Sequence, residues 1–216
     1  MIADSGHHGT DTRTLLIDTA ERLFALRGVD AVSSADIRKE AGQRNASVIS
    51  YYFGSKNNLL KAILDHRLPV INARRHEMLQ ERLAVGREFT VRDALWCTVQ
   101  PLAENLSHGN HYVGLLDKLI ETGYMAEIFG SADPEANSSA IVVDRLLVDL
   151  LDHLPEETRR RRIHMVYGSM LRTLAFHDRS GTVPDRVELS ALIDAWEGLL
   201  LAPVSVESKA AVNGRS

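Results

Sequence analysis

Basic side chains are concentrated in residues 38–61 of this acidic chain. Five cations lie in this stretch: Arg38, Lys39, Arg44, Lys56 and Lys61. Glu40 is the one acidic residue among them, and residues 10–67 have a net charge of +2 although the whole chain has −4. A local cluster of this kind binds the phosphates of a nucleic acid and releases condensed counterions. The sequence therefore favours nucleic-acid binding confined to one short region.

Polar side chains in the same stretch can contact both phosphates and base edges. The donors and acceptors are Arg44, Asn45, Ser47, Ser50, Tyr51 and Tyr52. Of these, Arg44, Asn45 and Ser47 are our candidates for contacting DNA, because they lie at the turn and the first helical turn, where base-reading residues cluster. Tyr51 is equally compatible with packing and with phosphate contact. Phe53 is assigned to the core, and Lys61 to a solvated face.

The remaining chemistry-bearing residues do not form a catalytic set. His76-Glu77-Met78-Leu79-Gln80 lacks the second histidine of a zinc protease motif, and the sequence contains no glycine-rich phosphate loop and no Gly-x-Ser-x-Gly elbow. Cys97 is the one cysteine, which we interpret as a small buried hydrophobe rather than a redox sensor. We therefore expect no catalytic residues, no metal and no cofactor, and we do not expect an enzyme.

Composition indicates a soluble globular protein. Of the 216 residues, 44% are hydrophobic and 25% are charged, which excludes disorder and collagen-like repeats. No window approaches the roughly 20 apolar residues of a membrane span, and the first ten residues lack the apolar region of a secretory signal. We expect a cytoplasmic protein with no membrane partner.

Apolar residues recur at helical spacing along almost the whole chain, so the predicted fold is all-α. Leu16, Ala20, Leu23 and Phe24 define a first helix that Gly28 ends. We place a domain boundary near residue 67, with flexible tails at 1–10 and 204–216. The segments predicted as the helices of a second domain, residues 68–203, are 90–107, 111–129, 138–153, 156–178 and 186–201.

Between the first helix and this boundary, the turn and cap residues predict three more helices. Ser33 and Asp36 form a capping box for a short second helix that Gly42 ends. Asn45 is then predicted to cap a third helix ending at Gly54, and Ser55 to cap a fourth. Pro69 is expected to kink or end this helix locally, with the alternative that the pattern resumes toward Leu83. Two short helices joined by a glycine-containing turn are typical of a helix-turn-helix, whose second helix lies in the DNA major groove.

These features resemble the DNA-binding domain of TetR-family transcriptional regulators. The resemblance lies in three runs: Ala20–Gly28, Ala41-Gly42, and Tyr51-Tyr52-Phe53-Gly54-Ser55-Lys56. It implies a homodimer bound to a pseudo-palindromic double-stranded operator, and repression that a small-molecule effector relieves. It also implies that Lys56 and Tyr51 or Tyr52 touch phosphates, and that the start of the third helix faces bases. We add Ser33, at the start of the second helix, to the DNA-contact candidates.

Two departures from the family pattern bear on the DNA contacts. The turn Gln43-Arg44-Asn45 is one residue longer than the commonest spacing, as in a Gly-Gln-Arg-Asn subgroup, so the register of base contacts is left open. Arg38 stands where a small alanine often packs the second helix on the third. We expect Arg38 to extend outward to a phosphate instead.

The second domain contains aromatic, methionine and polar side chains suited to an apolar or amphipathic ligand. The candidates are Trp96, Tyr112, Met125, Phe129, His164, Met165 and Tyr167. Flexible methionines and aromatic rings with a few hydrogen-bonding groups are typical of small-molecule pockets. The alternative interpretation of each residue is an ordinary place in a helical core.

Two apolar stripes near the end of the chain predict paired packing helices. Ile163, Val166, Met170 and Leu174 lie on one, and Leu189, Ile193, Trp196 and Leu200 on the other. The resemblance implies that such a pair forms a four-helix dimer interface. We therefore predict a homodimeric, ligand-responsive repressor. The alternatives are an all-α enzyme or carrier with a vestigial helix-turn-helix, and a ligand-independent DNA-binding activator.

Overall fold

The regular structure of the chain is helical throughout the part that is described. The computed structural model describes residues 6–106, 109–122 and 138–207. Its helices are α1 (Gly6–Arg27), α2 (Ser34–Glu40), α3 (Val48–Phe53), α4 (Lys56–Ala84), α5 (Val91–Leu106), α6 (Tyr112–Thr122), α7 (Ser138–Leu150), α8 (Glu156–Ser180) and α9 (Arg186–Leu201). The predicted all-α fold, with an amino-terminal helix-turn-helix followed by a larger helical part, is confirmed.

Helices α1 to α3 and the start of α4 enclose a small apolar core. Leu16, Ala20 and Phe24 of α1 are completely buried, as the spacing predicts. Ile37 from α2 and Leu59 from α4 are also completely buried. Each of these helices is short or amphipathic, so it is stabilised by packing of its apolar face rather than by intrinsic helix propensity.

Local sequence signals fix where these helices begin and end. The backbone N–H of Asp36 donates to Ser33 Oγ at 3.1 Å, and the Asp36 carboxylate accepts from the backbone N–H of Ser33. Ser55 Oγ likewise accepts from the backbone N–H of Asn58 at 3.1 Å, which caps α4. Gly54 adopts φ +75° between α3 and α4, a conformation that costs glycine little. The predicted capping box and the predicted Ser55 cap are confirmed.

Helix α4 runs through the boundary that the sequence suggests near residue 67. Pro69 lies inside the helix and exposed to solvent, and α4 continues to Ala84, so the helix does not end at Pro69 and the apolar pattern resumes beyond it. A proline removes one backbone hydrogen bond, whereas Leu68, Ile71 and Met78 bury the inner face on both sides of it. One continuous helix therefore belongs to both parts of the chain.

The larger part consists of the second half of α4 with α5 to α9. Helix α6 packs between α1 and α8, and α9 packs on α5 and α8. Close approach requires Gly114, because a Cβ atom there would lie 2.6 Å from Asp178 Oδ2 and 3.1 Å from Ala25 Cβ. The two parts of the chain are thereby held in direct contact along α1 and α6.

The helices of the larger part follow the predicted segments closely where they are described. The segment predicted as 111–129 begins at Tyr112 and is described as far as Thr122. The stripes on α8 and α9 are buried as predicted, with Val166 and Ile193 completely enclosed. Within the described ranges, no helix is both long and apolar enough to span a membrane.

Candidate functional site

The outward face of α3 is polar and exposed. Ser47, Ser50 and Tyr51 are exposed, whereas Ile49 and Phe53 are buried against α1 and α4. Residues three and four apart lie on one side of a helix, so the three exposed side chains form a single surface. This surface presents hydroxyl groups that can hydrogen-bond to phosphates and base edges.

The turn before α3 is held by side-chain bonds that change two predictions. Arg38 Nη1 donates to the carbonyl of Gln43 at 3.1 Å, so Arg38 braces the turn and does not extend outward as expected. Asn45 Oδ1 accepts from the backbone N–H of Ser47 at 2.9 Å. Helix α3 begins at Val48 with Ser47 at the cap position, so the prediction that Asn45 caps it is wrong. The Asn45 side chain therefore stabilises the turn before α3 instead of capping the helix.

The basic side chains around α3 outnumber the nearby carboxylates, although Lys39 interacts electrostatically with Asp36, three residues earlier on α2. In the described ranges, Lys39, Arg44 and Lys56 form no ion pair. Glu40, the one acid of the basic stretch, is bound by Arg22 of α1 at 2.5 Å. The surface next to α3 is therefore electropositive although the chain is acidic overall.

The remaining DNA-contact candidates are placed in different ways. The Tyr51 side chain is 79% exposed and meets the Tyr52 ring edge-on, with 5.0 Å between ring centroids. Tyr52 is half-buried and supports Tyr51. Ser33 is exposed, but its hydroxyl is engaged in the capping box of α2. Lys56 is the first residue of α4, and its ammonium lies 5.8 Å from the centre of the Phe24 ring.

Sequence reasoning missed one cation beside α3. The Arg13 guanidinium, from α1, lies 5.3 Å from the centre of the Phe53 ring. Local spacing gives no signal for this contact, because Arg13 and Phe53 are brought together only when α1 packs over α3. Arg13 therefore adds a fourth basic side chain to the surface around Lys39, Arg44 and Lys56.

A buried ion pair joins this domain to the rest of the chain. Glu21 of α1 is 1% exposed and accepts from Arg67 Nε of α4 at 2.7 Å. Its other oxygen accepts from the backbone N–H of His111, just before α6, at 2.7 Å. His111 also bonds Asp178 of α8 at 3.0 Å, and this contact raises the pKa of the imidazole despite its partial burial. Four helices thus meet at Glu21 and His111.

A cavity of about 690 Å³ lies in the larger part of the chain. Helices α4 to α8 form its walls, which are mainly aliphatic. Its polar side chains are Arg75, Thr98, Tyr112, Asp144, Arg145 and Tyr167. Volumes of this size, with apolar walls and a few polar groups, are typical of small-molecule sites.

The cavity includes some of the predicted ligand residues and not others. Tyr112 and Tyr167 line it. Trp96 does not line it: its ring is buried, with the Arg186 guanidinium 5.5 Å from the ring centre. His164 and Met165 lie on the outer surface of α8. Trp96, His164 and Met165 do not line the cavity, because α5 and α8 present other residues to it. Met125 and Phe129 lie outside the described residues.

Together, α2, the turn and the exposed face of α3 define a helix-turn-helix DNA-binding protein. Residues 16–63 match the sequence model of a family described as bacterial regulatory proteins, tetR family. The resemblance found in the sequence is confirmed, and residues 16–63 form a DNA-binding domain of the tetR-family type.

Two solved structures are similar to most of the chain. A TetR-family transcriptional regulator from Pectobacterium atrosepticum is 18% identical, with a TM-score of 0.43 over 93% of this chain and 100% of that one. The TetR family transcriptional regulator PfmR from Thermus thermophilus is 16% identical, with a TM-score of 0.44 over 89% of this chain and 96% of that one. No curated protein matches the chain.

Proposed function

We propose that the protein is a homodimeric repressor that leaves its operator when a small molecule occupies the cavity. The observation that supports this most strongly is the continuity of α4. Lys56 begins the helix beside the exposed face of α3, and Leu68, Ile71 and Arg75 of the same helix line the cavity. At 1.5 Å per residue, Lys56 and Arg75 lie about 28 Å apart along one rigid element.

In the proposed complex, α3 lies in the major groove. Asn45, Ser47 and Ser50 face base edges, because they occupy the turn and the outer side of the short helix. Arg44 and Lys56 contact phosphates, which position the protein without reading sequence. Tyr51 adds a phenol hydroxyl that can reach a phosphate from its exposed ring.

Dimerisation is proposed on the outer faces of α8 and α9. Met165 and Phe176 of α8 are 57% and 61% exposed, and Val187 of α9 is 78% exposed. On α9, Ala191, Ala195 and Gly198 continue from Val187 along the same side. Small residues at this spacing let a second helix approach closely. The buried stripes that the sequence suggests for the dimer are used within the subunit, so the interface has to use the opposite faces.

Glycine at position 198 supports this choice of interface. A Cβ atom at Gly198 would meet no atom of this chain within 4 Å among the described residues. Glycine inside a helix costs about 1 kcal/mol relative to alanine, and packing within the subunit does not require it here. Close approach of a partner helix would explain why glycine occupies this position.

Release from DNA follows from the shared helix. A ligand that binds better to one position of α4 shifts the population toward that position, and no further than its difference in affinity allows. Movement of α4 changes the separation of the two α3 helices from the roughly 34 Å that adjacent half-sites require. By linkage, operator DNA must weaken ligand binding by the same factor.

The DNA-reading role is tested by selecting duplexes from a random pool with the purified protein. We expect the wild type to enrich a two-fold symmetric sequence. Asn45→Ala is expected to enrich a sequence altered at one position of each half-site, because a lost base contact relaxes specificity there. Lys56→Ala is expected to enrich the wild-type sequence with weaker binding.

The same selection separates the proposed function from its rivals. An enzyme or carrier with a vestigial helix-turn-helix enriches no sequence. Enrichment of an asymmetric site, or identical sequences from the wild type and Asn45→Ala, contradicts the proposed complex. Lys56→Ala acts as the matched control, because it removes a side chain from the same surface without removing a base-reading group.

A further inference from the structure

The cavity contains a buried cation that the described part of the chain leaves without a counter-charge. Arg75 is 5% exposed, and in the described ranges it forms no ion pair. Its one described acceptor is the amide oxygen of Asn72, one turn earlier on α4. Burial lowers the pKa of Arg75, yet a guanidinium keeps its proton in proteins. A charge buried in this way is costly unless something pairs with it.

A second polar group near Arg75 has no partner in the described ranges. Tyr112 is completely buried and lines the cavity, and its hydroxyl forms no hydrogen bond there. Burial raises the pKa of Tyr112, so the phenol stays protonated and remains a donor. Arg75 and Tyr112 both line the cavity, and they are near enough to interact electrostatically.

We infer that the ligand of this cavity is an amphipathic carboxylic acid whose carboxylate is bound by Arg75 and Tyr112. A carboxylate has two acceptor oxygens, and a guanidinium together with one phenol hydroxyl supplies matching donors. The aliphatic walls, including Leu68, Ile71 and Leu102, then enclose the hydrocarbon part. The inference rests on the proposed function, since it names the effector class of that regulator.

Charge selects a monoanion rather than a more highly charged head group. Arg75 is the one buried cation among the described residues that line the cavity. Asp144 lies on the opposing helix α7 and accepts from the Tyr167 hydroxyl at 2.9 Å. Arg145, the other guanidinium that lines the cavity, is exposed and therefore screened by water. A second negative charge on the ligand would face the Asp144 carboxylate without a buried cation to compensate it. A single carboxylate satisfies Arg75 without this repulsion.

The test compares decanoate with decanol by isothermal titration calorimetry on the full-length protein. These probes share one tail and differ in the charge of the head group. We expect decanoate to bind with one molecule per chain, and decanol to bind about tenfold to a hundredfold more weakly, because a charge-assisted hydrogen bond is lost. Equal affinities for the two probes, or no binding of decanoate, would overturn the inference.

Variants assign the preference to the two donors. Arg75→Met should abolish the preference for decanoate, whereas the neighbouring Arg74→Met should keep it, because Arg74 is ion-paired with Glu104 outside the cavity. Should Arg75→Met fail to fold, Tyr112→Phe provides the second test, with decanoate affinity about tenfold lower. Unchanged decanoate binding in Arg75→Met or in Tyr112→Phe contradicts the assignment.

Failure of this inference is distinguishable from failure of the proposed function. A protein that enriches symmetric DNA but does not distinguish decanoate from decanol remains a regulator with a different effector. A protein that binds decanoate through Arg75 and enriches no DNA sequence has the predicted cavity and lacks the proposed role. Decanoate should also weaken binding of the selected duplex in the wild type and leave it unchanged in Arg75→Met.

Discussion

Ala195→Arg is expected to convert the protein to a monomer and to weaken binding of its operator by about 10²–10⁴-fold. The side chain of Ala195 is exposed on the face of α9 that we assign to the dimer. An arginine there places a bulky charge where a partner helix must approach closely. A monomer binds one half-site alone. In a dimer, binding of the first half-site holds the second subunit at a high effective concentration near the other half-site, and the monomer lacks this gain. Light scattering and a duplex-binding assay measure the two effects.

Ala73→Arg is the matched control for this change. Ala73 is also an exposed alanine on a long helix, α4, and it lies away from the faces of α8 and α9. We expect this control to remain dimeric and to bind DNA as the wild type does. Both variants should keep the wild-type far-ultraviolet circular dichroism, because neither side chain is buried. A dimeric Ala195→Arg protein would show that the interface lies elsewhere.

Glu21→Gln is expected to lower the free energy of unfolding by about 3 kcal/mol. Glu21 is buried and compensates Arg67, whose side chain is only 18% exposed. Removing one partner of a buried ion pair costs about 3–5 kcal/mol when the other charge is left uncompensated, and here Arg67 keeps only the half-exposed Asp18. The lower end applies here, because glutamine can still accept from the backbone N–H of His111. For a chain of this size the melting temperature should fall by about 6–12 °C.

Asp18→Asn is the control for Glu21→Gln, because it removes an exposed carboxylate from the same arginine. Asp18 also bonds Arg67, at 2.6 Å, but its side chain is 49% exposed. An exposed ion pair contributes less than about 1 kcal/mol, so we expect a small change in thermal unfolding. Similar losses from Glu21→Gln and Asp18→Asn would contradict the role given to burial at the junction of α1, α4 and α6.

The beginnings and ends of the helices were largely predictable because their signals are local. Ser33 with Asp36, and Ser55 with Asn58, form bonds three residues apart, which sequence spacing reveals directly. The continuation of α4 past Pro69 was not predictable from the proline itself. It depends on burial of Leu68 and Met78 against other helices, and such tertiary packing outweighs one lost backbone bond.

The sequence predicts a ligand cavity in the second domain, but it does not single out Arg75 as part of it. Aromatic and methionine residues indicate an amphipathic ligand, whereas an arginine in a sequence favours an exposed position, because arginine is mostly exposed in proteins. A signal was present: Arg75 follows Leu68 and Ile71 at helical spacing and precedes Met78, so it lies on the apolar stripe of α4. A charged residue at a core position is a sign of function that composition alone does not give.

The central claim is that two copies of α3 read one DNA duplex, and titration of fluorescent duplex with the wild-type protein at two salt concentrations tests it most directly. The duplex is taken from the region upstream of the gene that encodes this chain. We predict a complex of two chains per duplex whose affinity falls by about 10³-fold or more between about 50 and 200 mM salt. No binding at the lower salt concentration, affinity independent of salt, or a complex with a single chain contradicts the claim.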